Sequence, residues 1–185
     1  MTEYYIPTHL LAKYLTHIPI DKNTASSLEF GKLIEKTYAY YQSKNCYGEY
    51  LFYLSLLETK GYSTKYTIIQ NLLEDNDITG EPAELKVRRY DQYYITAKPD
   101  IINEDKIFEI KLGNKVKDYA IMQCKIFSYV FMHDIHLVLL DVENKQVNIQ
   151  VIKYDENIRL PNFNDLIYRV DFYDKNGNII LGAYK

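Results

Sequence analysis

At 185 residues with 47% apolar side chains, the chain is long enough for one domain with a substantial core. Its net charge of −3 leaves no global basic field to advertise a polyanion partner. Two cysteines, Cys46 and Cys124, exclude a disulfide framework and a four-cysteine cluster, so no iron–sulfur centre is expected. The first residues, Met1 to Pro7, carry neither a basic region nor an apolar run, and no apolar stretch is long enough to span a bilayer. A cytoplasmic, reducing setting without membrane association is the expectation, in a host cell if the source is viral. The 20 tyrosines, in a chain without tryptophan, are assigned mainly to the core and its rim.

In chain order, Thr8 to Leu15 reads as a short helix. Thr24 to Gln42 reads as a longer one, opened by an Asn23-Thr24 cap. Tyr47 to Thr59 is a third helix, stopped by Gly61. Strand-like segments follow at Lys65 to Leu72 and Glu84 to Tyr90, separated by a polar loop from Glu74 to Pro82, and then at Tyr93 to Ala97. A hairpin is expected over Asp100 to Leu112, broken by Gly113-Asn114, with helical periodicity from Val116 to Met132. Ile135 to Val142 is nearly all apolar, as a strand buried on both faces would be, while Gln146 to Ile152 alternates. A final hairpin runs from Leu166 through Asn176-Gly177 to Tyr184. The class is α/β: one domain over residues 1–185, with a mixed sheet flanked by helices.

The central hairpin concentrates the chemistry. A turn at Asn103 to Lys106 sets Ile102 opposite Ile107 and Asp100 opposite Glu109, and such opposed Cβ atoms lie about 4.5–5.5 Å apart. Glu109 and Lys111 share one strand face, while Phe108, Ile110 and Leu112 share the other. Two carboxylates and an ammonium therefore converge on an otherwise apolar hairpin, the outline of a metal-dependent site. The bland reading is a surface ion pair, and Glu84-Leu85-Lys86 is a second Glu-x-Lys in the same chain. The preceding Pro99-Asp100 and the apolar flanks separate the two. On the long helix, Glu35 interrupts a stripe made by Leu28, Gly31, Tyr38 and Ala39, and an inward carboxylate needs a partner. His133-Asp134-Ile135-His136 lacks the further ligands of a zinc site and reads as a helix-to-strand turn.

The segment from Tyr94 to Phe131 resembles the PD-(D/E)XK nuclease superfamily, and within it the RecB-like exonucleases of CRISPR-associated and archaeal viral type that lack iron–sulfur cysteines. Pro99-Asp100 and Glu109-Ile110-Lys111 match the name-giving motif. Gln123-Cys124-Lys125-Ile126-Phe127 stands where the family carries Gln-x-x-x-Tyr, with Phe127 in place of the tyrosine. Gly31-Lys32-Leu33-Ile34-Glu35 resembles the helical Gly-x-x-x-His/Glu element.

The resemblance implies a restriction-endonuclease-like core with an extra C-terminal hairpin, and a Mg²⁺- or Mn²⁺-dependent DNA nuclease acting on single-stranded ends or flaps. Asp100, Glu109, Glu35 and the Ile110 carbonyl would hold the metal, an all-oxygen set suited to a hard cation. Lys111 would serve the attacking water or the developing charge, and Gln123 would touch a phosphate or the metal's water shell. Lys115, Lys117, Lys125 and Tyr129 are expected nucleic-acid contacts. Oligomeric state is open, a homodimer included. The rival readings are a junction- or structure-specific endonuclease on the same fold, and a non-catalytic nucleic-acid-binding module.

Overall fold

A computed structural model describes residues 2–18, 25–43 and 46–181. The Asn23-Thr24 cap, the Leu28 side chain and the end of the C-terminal hairpin lie outside what it describes. The chain opens on a strand that the sequence reading does not anticipate, β1 (Tyr5–Pro7), which runs straight into α1 (Thr8–Leu15). Pro7 is the helix N-cap, and the Thr8 hydroxyl donates to the Thr96 carbonyl at 2.8 Å, tying this corner to a distant strand. α2 (Ala25–Gln42) and α3 (Tyr47–Thr59) follow as expected, and Gly61, at φ +71°, makes the turn after α3.

The next element corrects the reading. Lys65 to Leu72 is not a strand but part of α4 (Ser63–Glu74). Its Tyr66-Thr67-Ile68-Ile69 run has strand composition. Yet the buried residues, Tyr66, Ile69 and Leu73, recur at the three- and four-residue steps of one helix face. Packing of that face overrides β-propensity.

The remaining elements are β2 (Glu81–Pro82), β3 (Lys86–Tyr90), β4 (Tyr93–Ala97), β5 (Ile101–Ile102), β6 (Ile107–Leu112), α5 (Asp118–Phe131), β7 (Ile135–Asp141), β8 (Gln146–Ile152), α6 (Phe163–Leu166), β9 (Phe172–Tyr173) and β10 (Ile179–Leu181). Leu166, expected to open the last hairpin, instead closes α6, and the hairpin turn spans Asp174 to Asn178.

The strands form two mixed five-stranded sheets rather than one, ordered β10-β9-β1-β4-β3 and β2-β5-β6-β7-β8. Within them β1 runs parallel to β4 and β6 parallel to β7; the other pairs are antiparallel. The split falls between β4 and β5, at Lys98-Pro99-Asp100. Pro99 has no N–H to give a ladder, so one continuous strand is disfavoured there.

Two apolar clusters fill the interior, and β6 and β7 send alternate side chains into each. Ile6, Leu11, Tyr93, Ile95, Phe127 and Phe172 belong to one, made by β1, α1, β4, α5, the C-terminal segment and the face of β6, β7 and β8 that carries Ile107, Ile135, Leu137 and Ile152. Ile34, Tyr38, Leu57, Ile69, Phe108 and Val138 belong to the other, made by α2, α3, α4 and the strands β5, β6 and β7. Each fully buried large side chain of this kind contributes about 1.5–3 kcal/mol. The architecture is α/β, two mixed sheets flanked by helices, compatible with a restriction-endonuclease-like fold, with the β9–β10 hairpin at the C-terminal end. Among the described residues no helix is long and apolar enough to cross a membrane.

Candidate active site

The site is built at the split between the sheets. Asn103 closes the β5–β6 turn: its N–H donates to the Lys106 carbonyl, and its Oδ1 accepts the Lys106 N–H, both at 2.9 Å. That turn pairs Ile102 with Ile107 and Ile101 with Phe108, the expected register. The strand pairing ends there. One residue further back, the Asp100 N–H donates to the Phe108 carbonyl at 3.1 Å, and Asp100 Oδ2 accepts the Ile110 N–H at 2.6 Å. The carboxylate thus takes a backbone donor that a continuing strand would have taken.

Alternation along β6 does the rest. Glu109 and Lys111 lie on the face shared with Ile107, whereas Phe108 and Ile110 join the α2–α4 cluster. Glu109 is only 2% exposed, and the Lys111 ammonium donates to its Oε1. Its other oxygen, Oε2, is buried without a hydrogen-bond partner. Glu84-Leu85-Lys86, by contrast, is exposed throughout. The two copies of Glu-x-Lys therefore differ in burial.

Glu35 reaches the site from α2. A Cβ added at Gly31, one turn earlier, would stand 3.8 Å from Glu35 Oε1, so the carboxylate lies back over the glycine. Burial, and then the Asp100 charge, push the Glu35 carboxyl up to about 8, against the pull of Lys111 and Lys32. Burial and Asp100 likewise hold Glu109 well above the usual carboxylate range, with Glu35 adding to the effect and Lys111 opposing it. Asp100 is raised by burial, moderated by Lys111, by the Ile110 N–H and by hydrogen bonding with the Glu109 side chain. For Lys111, burial favours the neutral amine, but Glu109, Asp100 and Glu35 outweigh it and hold the ammonium firmly charged. Three carboxylates, each held above its ordinary value, thus share one cation.

Gln123 comes from α5, 8% exposed, and its Oε1 is also buried without a partner. Tyr119, one turn before it, and Cys124 beside it are both raised by burial and feel the charges of Glu109 and Lys111. The sequence reading passes over His9. This α1 histidine is exposed as a residue, yet it is held below its ordinary value by desolvation and then by Lys13, Lys32 and Lys111. No spacing rule links it to a hairpin a hundred residues away; only tertiary structure does.

The expected nucleic-acid contacts are placed less uniformly. Lys115 and Lys117 are exposed between β6 and α5. Lys125 is exposed as well, but it follows the buried Gln123 by two residues and so occupies nearly the opposite helix face. Tyr129 is 9% exposed, and its ring lies beneath the Arg88 guanidinium at 3.9 Å. It is therefore occupied by packing rather than open to a base. The Ile110 side chain is core. His133 and Asp134 form the turn from α5 to β7, where Asp134 accepts from Lys153 and from the Tyr154 N–H, at 2.7 and 2.8 Å.

In donor chemistry the residues suit a hard divalent cation: carboxylate oxygens, one of them buried and unpartnered. Among the described residues, however, no three His, Cys, Asp or Glu side chains already form a tight ligand cluster. The Lys111 ammonium takes one of the Glu109 oxygens instead.

No family profile matches the chain, and no curated protein does. Among solved structures, the chain is similar to a candidate exonuclease from Eubacterium rectale, with a TM-score of 0.52 at 11% identity. The alignment covers 79% of this chain and 65% of that one, so the chain spans less than two thirds of that protein's length. The protein designated SSO0001 aligns over 80% of this chain and 75% of its own, at 16% identity and a TM-score of 0.34. The first likeness concerns the fold.

Proposed function

We propose that the chain is a metal-dependent nuclease that hydrolyses DNA phosphodiester bonds, acting on single-stranded ends or flaps. The observation that carries this reading is the buried Glu109, with one oxygen unpartnered, among Asp100, Glu35 and Lys111. The likeness in fold to a candidate exonuclease supports it.

In this reading Asp100, Glu109 and Glu35, with the Ile110 carbonyl, hold a Mg²⁺ or Mn²⁺ ion. When bound, such an ion offsets charge on the phosphate and makes a water more acidic. The Ile110 N–H fixes the Asp100 carboxylate in its orientation. Lys111, kept protonated by its carboxylate neighbours, serves as a fixed positive charge for the developing oxyanion and orients the attacking water. Gln123 offers its free amide oxygen to that water or to its shell. Lys115 and Lys117 are phosphate contacts on the loop beyond β6.

The test is incubation of the purified chain with end-labelled single- and double-stranded DNA, with Mg²⁺, Mn²⁺ or EDTA, beside Asp100→Ala. Cleavage that requires the metal and vanishes in the variant is the expected result. Binding without cleavage on every substrate would instead make the chain a non-catalytic nucleic-acid-binding module. Cleavage that survives Asp100→Ala would move the site elsewhere. A product ladder separates end-directed cleavage from the junction-specific alternative.

A further inference from the structure

The two sheets end in four outer strands, β10 and β3 in one, β2 and β8 in the other. An outer strand offers unpaired N–H and C=O groups to any chain that meets it, and proteins blunt such edges with charge, proline or shortness. Three of the four are blunted in this way. β2 is two residues long and contains Pro82, β10 is three residues long, and β3 carries Lys86, Arg88 and Arg89. β8 is not. Its seven residues, Gln146-Val147-Asn148-Ile149-Gln150-Val151-Ile152, hold no charge, no proline and no glycine. Asn148 to Val151 are exposed one after another, Ile149 at 44% and Val151 at 41%, so among the described residues nothing covers them.

This edge is complementary to itself. Turned about Ile149 into an antiparallel pair with a second copy, it sets Ile149 opposite Ile149, Val147 opposite Val151, and Asn148 opposite Gln150. One face of the pair is then β-branched against β-branched and the other amide against amide, matches of the kind that stabilise neighbouring strands. A slip of one residue would set Ile149 against Asn148 and spoil both faces. No like charges meet within the seven residues. Lys145 and Lys153 come opposite each other just outside them, but Lys153 is already held by Asp134 at 2.7 Å. A nucleic-acid strand, by contrast, finds no cation along β8 for its phosphates.

We infer that two copies of the chain pair edge to edge through β8, about a two-fold axis at Ile149, and join their five-stranded sheets into a continuous one. The row Glu109–Leu137–Gln150, fixed by the β6–β7 and β7–β8 registers, then runs on into Asn148, Leu139 and Lys111 of the second copy. Both candidate sites therefore face the same side of the joined sheet. That consequence rests on the nuclease reading; the pairing does not, and its test contains neither DNA nor metal.

The mass of the full chain is measured by sedimentation equilibrium over a range of concentrations, beside variants at the exposed positions 148 and 150. The parent should approach twice 21.9 kDa as concentration rises. Asn148→Glu/Gln150→Glu sets carboxylate against carboxylate at both pairs and should weaken the dimer by about tenfold. Asn148→Glu/Gln150→Lys sets carboxylate against ammonium at the same two pairs and should associate within about twofold of the parent. Only the proposed register separates these two variants. On mild oxidation Ile149→Cys should form a disulfide between copies, whereas the parent and Tyr168→Cys, 67% exposed but away from β8, should not.

A parent that stays at 21.9 kDa at every concentration would overturn the inference and leave the edge to a chain of another sequence. Equal weakening by the two double variants, or no disulfide at position 149, would overturn it as well. Pairing that passes these tests in a protein without metal-dependent cleavage removes the nuclease and keeps the dimer. Cleavage by a chain that stays monomeric does the reverse.

Discussion

At the scale of single residues, Asp100, Glu109 and Lys111 were open to sequence reasoning because their grouping is local. A four-residue turn sets the register and strand alternation sets the face, so the hairpin brings them together with little help from the rest of the chain. Glu35 was accessible by a different route, as a charge interrupting an apolar helix stripe. His9 was not, because only the packing of α1 brings it near Lys111. The proton balance of Glu35 gives a prediction at this scale. Its carboxyl moves from 4.5 to about 8 on folding, so between those values the native state holds a proton that the unfolded chain has released. Stability must then fall as pH rises through that window. His9 and His136, held below their ordinary values by desolvation, act with the opposite sign around neutrality. The contribution of Glu35 is therefore isolated by comparison with Glu35→Gln. In EDTA, thermal melts should show Glu35→Gln gaining stability relative to the parent as pH rises from about 4.5 to about 8. A constant difference across that range would mean the carboxyl is not shifted.

At the scale of elements, most helices and the β5–β6 hairpin follow from spacing and turn residues. α4 does not: its β-branched and aromatic run satisfies strand composition, and only its burial pattern, Tyr66, Ile69 and Leu73, discloses the helix. β2 was hidden for another reason. It is two residues long, and it forms because the chain after α4 passes hard against β5. Gly80 makes that approach possible. It sits at φ +151°, and a Cβ there would lie 2.4 Å from the Ile102 carbonyl oxygen. Gly80→Ala should therefore destabilise the fold by about 1–3 kcal/mol through backbone strain, measurable as a lower urea midpoint. Gly48→Ala, where an added Cβ meets nothing, is the matched control and should not lower it.

At the scale of the whole molecule, the division into two sheets and two apolar clusters was not legible, because it depends on pairings between remote segments. β1 pairs parallel with β4, Tyr5 with Tyr94 and Ile6 with Ile95, and antiparallel with β9. Three residues at the start of the chain therefore form the middle strand of a five-stranded sheet. No local pattern marks so short a strand; its partners supply its stability. Ile6 is fully buried at this junction, so Ile6→Ala should cost about 2–5 kcal/mol in equilibrium urea unfolding. A loss below 1 kcal/mol, on the order of a surface substitution, would place the N-terminal strand outside the folding unit.

The bond from the Ile110 N–H to Asp100 Oδ2 has a use beyond holding a carboxylate still. β6 is paired with β7 along its whole length, but with β5 only as far as Phe108, so past that point its outer edge has no neighbouring strand among the described residues. One amide hydrogen is consequently shielded from solvent by a titratable side chain rather than by backbone. Its exchange with deuterium should accelerate when Asp100 is protonated or replaced by alanine, while the Phe108 and Ile107 amides keep their lifetimes. The charge state of the site can thus be followed at a single peptide group, without substrate and without turnover.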